Sequence, residues 1–446
     1  MLGVPRATVV ISRRLVLAVS VSLSASAWAQ PPAPKPFPVP VPRAATAKID
    51  RTPLSLTPVE NVWGLPLNNS LTGAPAYDGT RAFFTMEGDR LAAYDLIGGT
   101  RQWLVTAHAE MAPVAGDGFI FIREADRLLA LRSGNGAIAW QLPIADKLAA
   151  NPVWDNGWLI IALATGEVRA LRATDGQLIW TRDLKSAAHA PPALAADRVY
   201  VPTSDSRIVA LRVENGETIW ERRLGGAANE ILALDDRIFA GSQDNFFNCV
   251  MAADGKVDWR WRTGGDVIGK PVADDRYVYF VSLDNVLRAM NMVTGGQQWM
   301  RPLPMRPAWG AVRAGSTIVV AGLLPPMRAF NIKDGIAAGT LTGIATQAPE
   351  APPAGAAAPG EAPQKKPPPP FVALPGGAEV AAAPYVLEQP LTRAPMLLML
   401  FKDIATGASA TLVGHTVEPP LVPAVAPLPN LIQIAPVTPT TPPPRP

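Results

Sequence analysis

The sequence predicts an all-β fold: a β-propeller of four-stranded blades, eight blades with seven as the alternative, closed by an N-terminal strand. Three observations predict it. One phrase recurs at a fixed period, each period holds four short apolar runs, and turn residues separate the runs. Residues 170–180 read ALRATDGQLIW. Asp175-Gly176 stands between two apolar stretches, the pattern of a tight hairpin, because Gly takes φ > 0 without steric cost. Residues 130–140 read ALRSGNGAIAW and residues 210–220 read ALRVENGETIW, with weaker copies at 93–103, 249–259 and 289–299. A seventh copy, AFNIKDGIAAG at 329–339, keeps Gly335 and has Gly339 where the others have Trp.

The copies place Trp103, Trp140, Trp180, Trp220, Trp259 and Trp299 at steps of 37, 40, 40, 39 and 40 residues. A Gly lies four residues before each, and a small residue ten before: Ala93, Ala130, Ala170, Ala210, Cys249 and Ala289. A fixed period of roughly 20–50 residues marks a repeat architecture. In the third unit the apolar runs are 151–154, 158–163, 168–171 and 178–182, separated by Asp155-Asn156-Gly157, Thr165-Gly166 and Thr174-Asp175-Gly176. Four strands in about 40 residues is a propeller blade. Such a blade needs neighbours on both faces, and closing the ring protects its edges.

Taken in order, residues 1–29 read as a secretory signal. Arg6, Arg13 and Arg14 form the basic region, a short Ser-containing apolar run follows, and Ala27-Trp28-Ala29 is a small-x-small cleavage site. The paired arginines leave twin-arginine export open beside ordinary secretion. Residues 30–56 are a Pro-rich linker, whose PPAPKPFPVPVP run favours extended polyproline II. Residues 57–346 hold the repeats. They open with VENVWGLPL at 59–67, which reads as an outer strand lacking the rest of its blade. Trp63 lies 40 residues before Trp103, so this strand is expected to complete the last blade and close the ring. The central hairpin of the seventh unit, Leu323-Leu324-Pro325-Pro326, is apolar where the other units have polar turns.

Residues 347–370 are Ala/Pro-rich and read as a disordered insertion. Residues 371–417 read as the last blade, with Phe401 in the small-residue slot and Thr411 in the Trp slot. Residues 418–446 read as a Pro-rich disordered tail. No Cys follows the apolar stretch of the leader, and the mature chain has no transmembrane segment, so a periplasmic or secreted, monomeric protein is expected.

Composition narrows the function. The chain has 446 residues, 48% of them apolar, which suits a large core. Its 40 basic and 37 acidic residues give a formal charge of +3, and no Lys/Arg cluster is interleaved with aromatics, so nucleic acid is not an expected partner. Cys249 stands alone. It cannot form an intrachain disulfide or a cysteine-based zinc site, and its repeat position predicts a buried structural thiol.

Trp63, Trp103, Trp140, Trp180, Trp220, Trp259 and Trp299 share one phase, which predicts a common docking role between blades. Trp154, Trp158, Trp261 and Trp309 are out of phase, and Trp154 and Trp309 lie near innermost strands where they would face a central channel. Glu87, Asp89, Glu124, Asp126, Glu167, Asp205, Asp244 and Asp284 fall in the turn between the second and third strands of successive units. These turns share one face, so the carboxylates are candidates for an interaction face, beside the plainer reading that acidic residues suit turns. Arg222, Arg223, Arg260 and Arg262 lie on or beside outer strands, as a basic patch or a solvated edge. His108, His189 and His415 have no ligand spacing, and neither a phosphate loop nor a nucleophile elbow is present. No catalytic, cofactor-binding or metal-binding residue is expected.

The repeated phrase with its Trp resembles the PQQ-type, quinoprotein-like propeller repeat, in which a Trp on the outer strand docks against the next blade. The resemblance covers about residues 57–343. It includes the BamB-type propeller, a subunit of the machinery that inserts outer-membrane β-barrels, and thereby implies a non-catalytic scaffold that binds protein partners in the cell envelope without a cofactor. It also includes quinoprotein dehydrogenases, which hold pyrroloquinoline quinone and Ca²⁺ in the propeller mouth. Their alcohol dehydrogenases carry adjacent bonded cysteines, which this chain does not have, and its blades are joined by minimal loops.

Overall fold

The architecture is described by a computed structural model for residues 60–67, 69–96, 99–341, 377–388, 395–404 and 410–416. The expected leader and linker, the expected insertion at 347–370 and the expected tail at 418–446 lie outside the described residues. The strands form eight antiparallel sheets, the blades of an eight-bladed propeller. In blades 1 to 7 the strands follow chain order from the innermost strand at the central channel to the outer strand at the rim. Blade 3 is representative, with strands Val153–Asp155, Trp158–Ala162, Glu167–Arg172 and Leu178–Asp183.

The second and third strands are continuous apolar runs rather than alternating ones because both of their faces are covered. Successive side chains enter different cores. Phe83 packs between blades 1 and 2, while Phe84 packs between blades 8 and 1. Leu159 packs between blades 2 and 3, and Ile160 between blades 3 and 4. Eight clusters of this kind run round the ring, one at each blade junction.

The in-phase tryptophans lock these junctions. On the third strand of blades 1 to 6 the small residue is paired with the Trp of the outer strand, as in Ala170 with Trp180 and Cys249 with Trp259. The short side chain leaves the indole room to lean onto the next blade. Its Nε1–H donates to a turn carbonyl there: Trp103 to Ser133, Trp140 to Ala173, Trp180 to Val213, Trp220 to Ala252, Trp259 to Met292 and Trp299 to Ile332, at 2.6–3.0 Å. Three residues beyond each acceptor is the turn glycine. Gly216 has φ +69°, and a Cβ placed there would lie 2.6 Å from Trp180 Cε3. Glycine is therefore required twice, by the left-handed backbone and by the indole seated on it. Two residues after the Trp a second clasp recurs. Arg182 donates to Thr218 Oγ1, Arg222 to the Gly255 carbonyl and Arg301 to those of Gly335 and Asp334.

Blade 8 closes the ring with both ends of the propeller. The N-terminal strand Glu60–Pro66 pairs with Ala410–Thr416, which pairs with Pro395–Asp403. The split innermost strand, Ala378–Val380 and Tyr385–Glu388, completes the sheet. Tyr77 of blade 1 stacks on Tyr385 at 4.0 Å. The expected places of Phe401 and Thr411 are corrected here. Phe401 lies on the second strand and Thr411 on the third, because the outer position belongs to Glu60–Pro66. The small residue opposite Trp63 is Gly414. In blade 7, Gly339 occupies the Trp register opposite Ala329, and the junction with blade 8 is filled instead by Met327, Leu397, Met399 and Phe401, with Trp309 against them.

Trp180→Ala should destabilise the fold by about 3–5 kcal/mol in denaturant melts, the usual range for a buried aromatic. Gly216→Ala should cost roughly 1–3 kcal/mol through strain alone and more through the displaced indole. An unchanged midpoint for either would show that the junction is not held this way.

Candidate functional site

Two regions present chemistry: the face carrying the turns between second and third strands, and the central channel. The antiparallel meander puts all those turns on one face, together with the linkers that lead from one blade to the next. The acidic turn residues are on this face, and most are engaged locally. Thr203 and Ser282 donate to Asp205 and Asp284 at 2.6 and 2.5 Å, and Ser242 donates to Asp244. Arg207 reaches Asp205, Arg127 reaches Glu124 and Arg169 reaches Glu167. His108 Nδ1 lies 2.6 Å from Asp89, and the hydrogen bond to that carboxylate holds the imidazole pKa above its ordinary value. Glu87 and Asp126 lie in the same turns. Among the described residues no group of three or more His, Cys, Asp or Glu side chains is placed to share a metal ion.

Asp284 is the most strongly bound of these carboxylates. Burial alone would raise its pKa, but hydrogen bonds from Arg288, Ser282 and the Gly264 N–H outweigh burial and bring it down to about 2. The linker of blade 5 is thereby tied to the turn of blade 6. On the same face the blade 7 hairpin is different in kind. Leu323 and Leu324 are 56% and 59% exposed, with the Leu323 carbonyl held by the Val380 N–H of blade 8.

Arg260 lies over the Phe246 ring at 4.6 Å, Arg222 serves the clasp described above, and Arg223 reaches Asp205 at 3.9 Å. Trp261 takes the clasp position of blade 5 and packs with Phe239 and Phe247. Trp158 packs in the junction between blades 3 and 4. His189 meets Gln243 at 3.2 Å, and His415 lies on the third strand of blade 8. Cys249 is fully buried, and burial pushes its thiol up to about 11 against the opposing influence of Arg237.

In the channel, sequence reading missed the two residues that stand out. The innermost strands of blades 5 and 6, Ala228–Ala233 and Val267–Ala273, are long, and each is bulged. Pairing jumps from Ala228 to Ile231 and from Ile268 to Val272. The bulges release Glu230 and Lys270 from the ladder. Gly269 has φ +63°, and a Cβ there would lie 2.4 Å from the Gly310 nitrogen, so the strand and the blade 7 linker approach backbone to backbone. A cavity of about 630 Å³ opens here, lined by Glu230, Lys270, Pro271, Trp309 and Arg313. A second, of about 330 Å³, is lined by Trp154, Asp155, Pro191 and Pro192, and again by Glu230 and Lys270. Both channel-facing tryptophans thus line cavities. Glu230 is wetted by the channel yet crowded by protein. That crowding raises its pKa, and Lys270 opposes the shift.

The family model described as outer membrane protein assembly factor BamB matches residues 22–151, 124–234 and 225–338. The chain belongs to this family. Among solved structures, BamB from Moraxella catarrhalis is 16% identical over 68% of this chain and 95% of that one, with a TM-score of 0.47. The quinohemoprotein alcohol dehydrogenase ADHIIG from Pseudomonas putida HK5 is 11% identical over 81% of this chain and 76% of that one, with a TM-score of 0.56. Saccharomyces cerevisiae Sqt1 is 9% identical over 80% and 99%, with a TM-score of 0.61. At these identities the likeness is one of fold. No curated protein sequence matches the chain. No helix among the described residues is long and apolar enough to cross a membrane.

Because the Asp284 pKa is lower folded than unfolded, its contribution is present above pH 4 and fades as pH falls toward 2. That contribution is on the order of 2 kcal/mol. The stability gap between wild type and Asp284→Asn should therefore close across this window in acid titrations of the melting midpoint. Cys249 should resist a disulfide reagent at pH 8 in the native protein and react fully in denaturant. Rapid native labelling would contradict its burial.

Proposed function

We propose that this chain is a non-catalytic propeller of the periplasm or cell envelope that acts as a protein-interaction scaffold. The single observation that carries the reading is the blade 7 hairpin. On a face whose carboxylates are mostly tied into local pairs, Leu323 and Leu324 stand in solvent. Exposed apolar side chains ringed by polar groups are characteristic of protein contact surfaces. The family's description as an outer membrane protein assembly factor supports the same reading and gives its specific form, service to outer-membrane protein assembly.

The alternative is a quinone-dependent dehydrogenase, supported by fold likeness to ADHIIG. A calcium ion in such a site needs six to eight oxygen ligands, largely carboxylate. The larger cavity offers Glu230 beside the Lys270 ammonium and the Arg313 guanidinium. The sole cysteine lies in the junction of blades 5 and 6, not at the cavity. This donor set does not fit the cofactor and its cation.

A photo-crosslinking amino acid at Leu324, with a control at Asp254 on the opposite face, tests the scaffold reading in cells. A discrete adduct with an envelope protein at position 324, absent at 254 and lost on Leu323→Asp, is the expected result. Identical patterns at the two positions, or no adduct at 324, would overturn it.

A further inference from the structure

We propose that the two channel cavities form one binding site for an oligosaccharide, with Glu230 and Lys270 as its polar centre and Trp309 and Trp154 as its stacking platforms. The inference is independent of the scaffold reading, which rests on the outer face.

Glu230 and Lys270 are placed by bulges in neighbouring strands. Blades 1 to 4 and 7 have innermost strands of two or three residues with regular pairing to the second strand. Blades 5 and 6 alone, among these seven, have long innermost strands in which two or three residues leave the ladder. Bulges re-aim side chains and recur beside functional sites. These two turn a carboxylate and an ammonium toward the same space. The frame is fixed: Asn229 Nδ2 donates to the Val267 carbonyl at 2.7 Å, linking the bulged strands.

The two charges are then left for something else. Among the described residues, neither the Glu230 nor the Lys270 side chain has an ion pair or a hydrogen bond. Arg313, by contrast, is spent on the carbonyls of Ala273 and Gly315. A free acceptor and a free donor of opposite charge ask for a ligand of no net charge that donates and accepts side by side. Vicinal hydroxyls do this. The walls complete the match. Each cavity adds one indole to the shared pair, and an indole face suits the C–H face of a sugar ring as it suits other apolar surfaces. Trp154 is backed by Gly116, where a Cβ would come within 2.2 Å of the indole, so one face of that platform is closely packed. The volumes, about 630 and 330 Å³, are of small-ligand size, and a chain of rings can engage both tryptophans. A zwitterion satisfies the charges but leaves the second platform bare.

Calorimetric titration of the full chain with chitotetraose and with maltotetraose tests this, with glycylglycine as the zwitterionic control. At least one tetrasaccharide should bind with Kd below about 1 mM. Glu230→Gln and Lys270→Met should each weaken it about tenfold, as expected for a hydrogen bond to a charged group, with melting temperatures nearly unchanged because neither side chain has a hydrogen bond or ion pair to lose. Trp309→Phe should weaken binding without abolishing it. Absence of binding by both sugars at 10 mM, sugar binding indifferent to both charge variants, or saturable binding of glycylglycine alone would overturn the proposal.

Discussion

The contact on which the propeller depends is an indole seated on a glycine of the next blade. It unites three requirements in one phrase of sequence. The glycine closes the local turn in a left-handed conformation. Its missing side chain leaves the surface on which the neighbouring Trp rests. The carbonyl three residues earlier accepts the indole N–H. Local and long-range preferences therefore agree at the same residues, the consistency that gives a sequence one structure. The arginines of the second clasp, and Trp261 in their place in blade 5, extend this contact outward along the rim.

The two exceptions show what the contact supplies. Blade 7 has Gly339 in place of Trp, and larger side chains fill its junction with blade 8, Phe401 and Met399 among them. Blade 8 takes its outer strand from the start of the propeller, so the register continues through Trp63 and Gly414 although the chain does not. The innermost strands lie farthest from this rim locking and have latitude to depart from regular pairing. In blades 5 and 6 they do so, and Glu230 and Lys270 both line the two cavities there.

Most of the fold was legible because its determinants repeat. Trp at a step near 40, Gly four before it and a small residue ten before it are sequence-local marks of a tertiary contact. Ring closure was legible from the phase of Trp63. The places of Phe401 and Thr411 were not, because alignment of blade 8 to its neighbours cannot tell which of two candidate strands takes the outer edge. Glu230 and Lys270 were not legible either. A bulge is a property of pairing register, and ANEIL and IGKPV carry no spacing that announces one. The recurring Thr203-x-Asp205, Ser242-x-Asp244 and Ser282-x-Asp284 spacing was a readable sign that those carboxylates are held locally.

Hydrogen exchange of the tryptophan indole N–H groups, followed one by one by NMR in the native protein, tests the central contact most directly. A ring locked by docking predicts that Trp103, Trp140, Trp180, Trp220, Trp259 and Trp299 exchange only through global opening, with one common free energy equal to that of unfolding. Exchange of these six at rates near those of an exposed indole, or at unrelated low free energies from blade to blade, would contradict it.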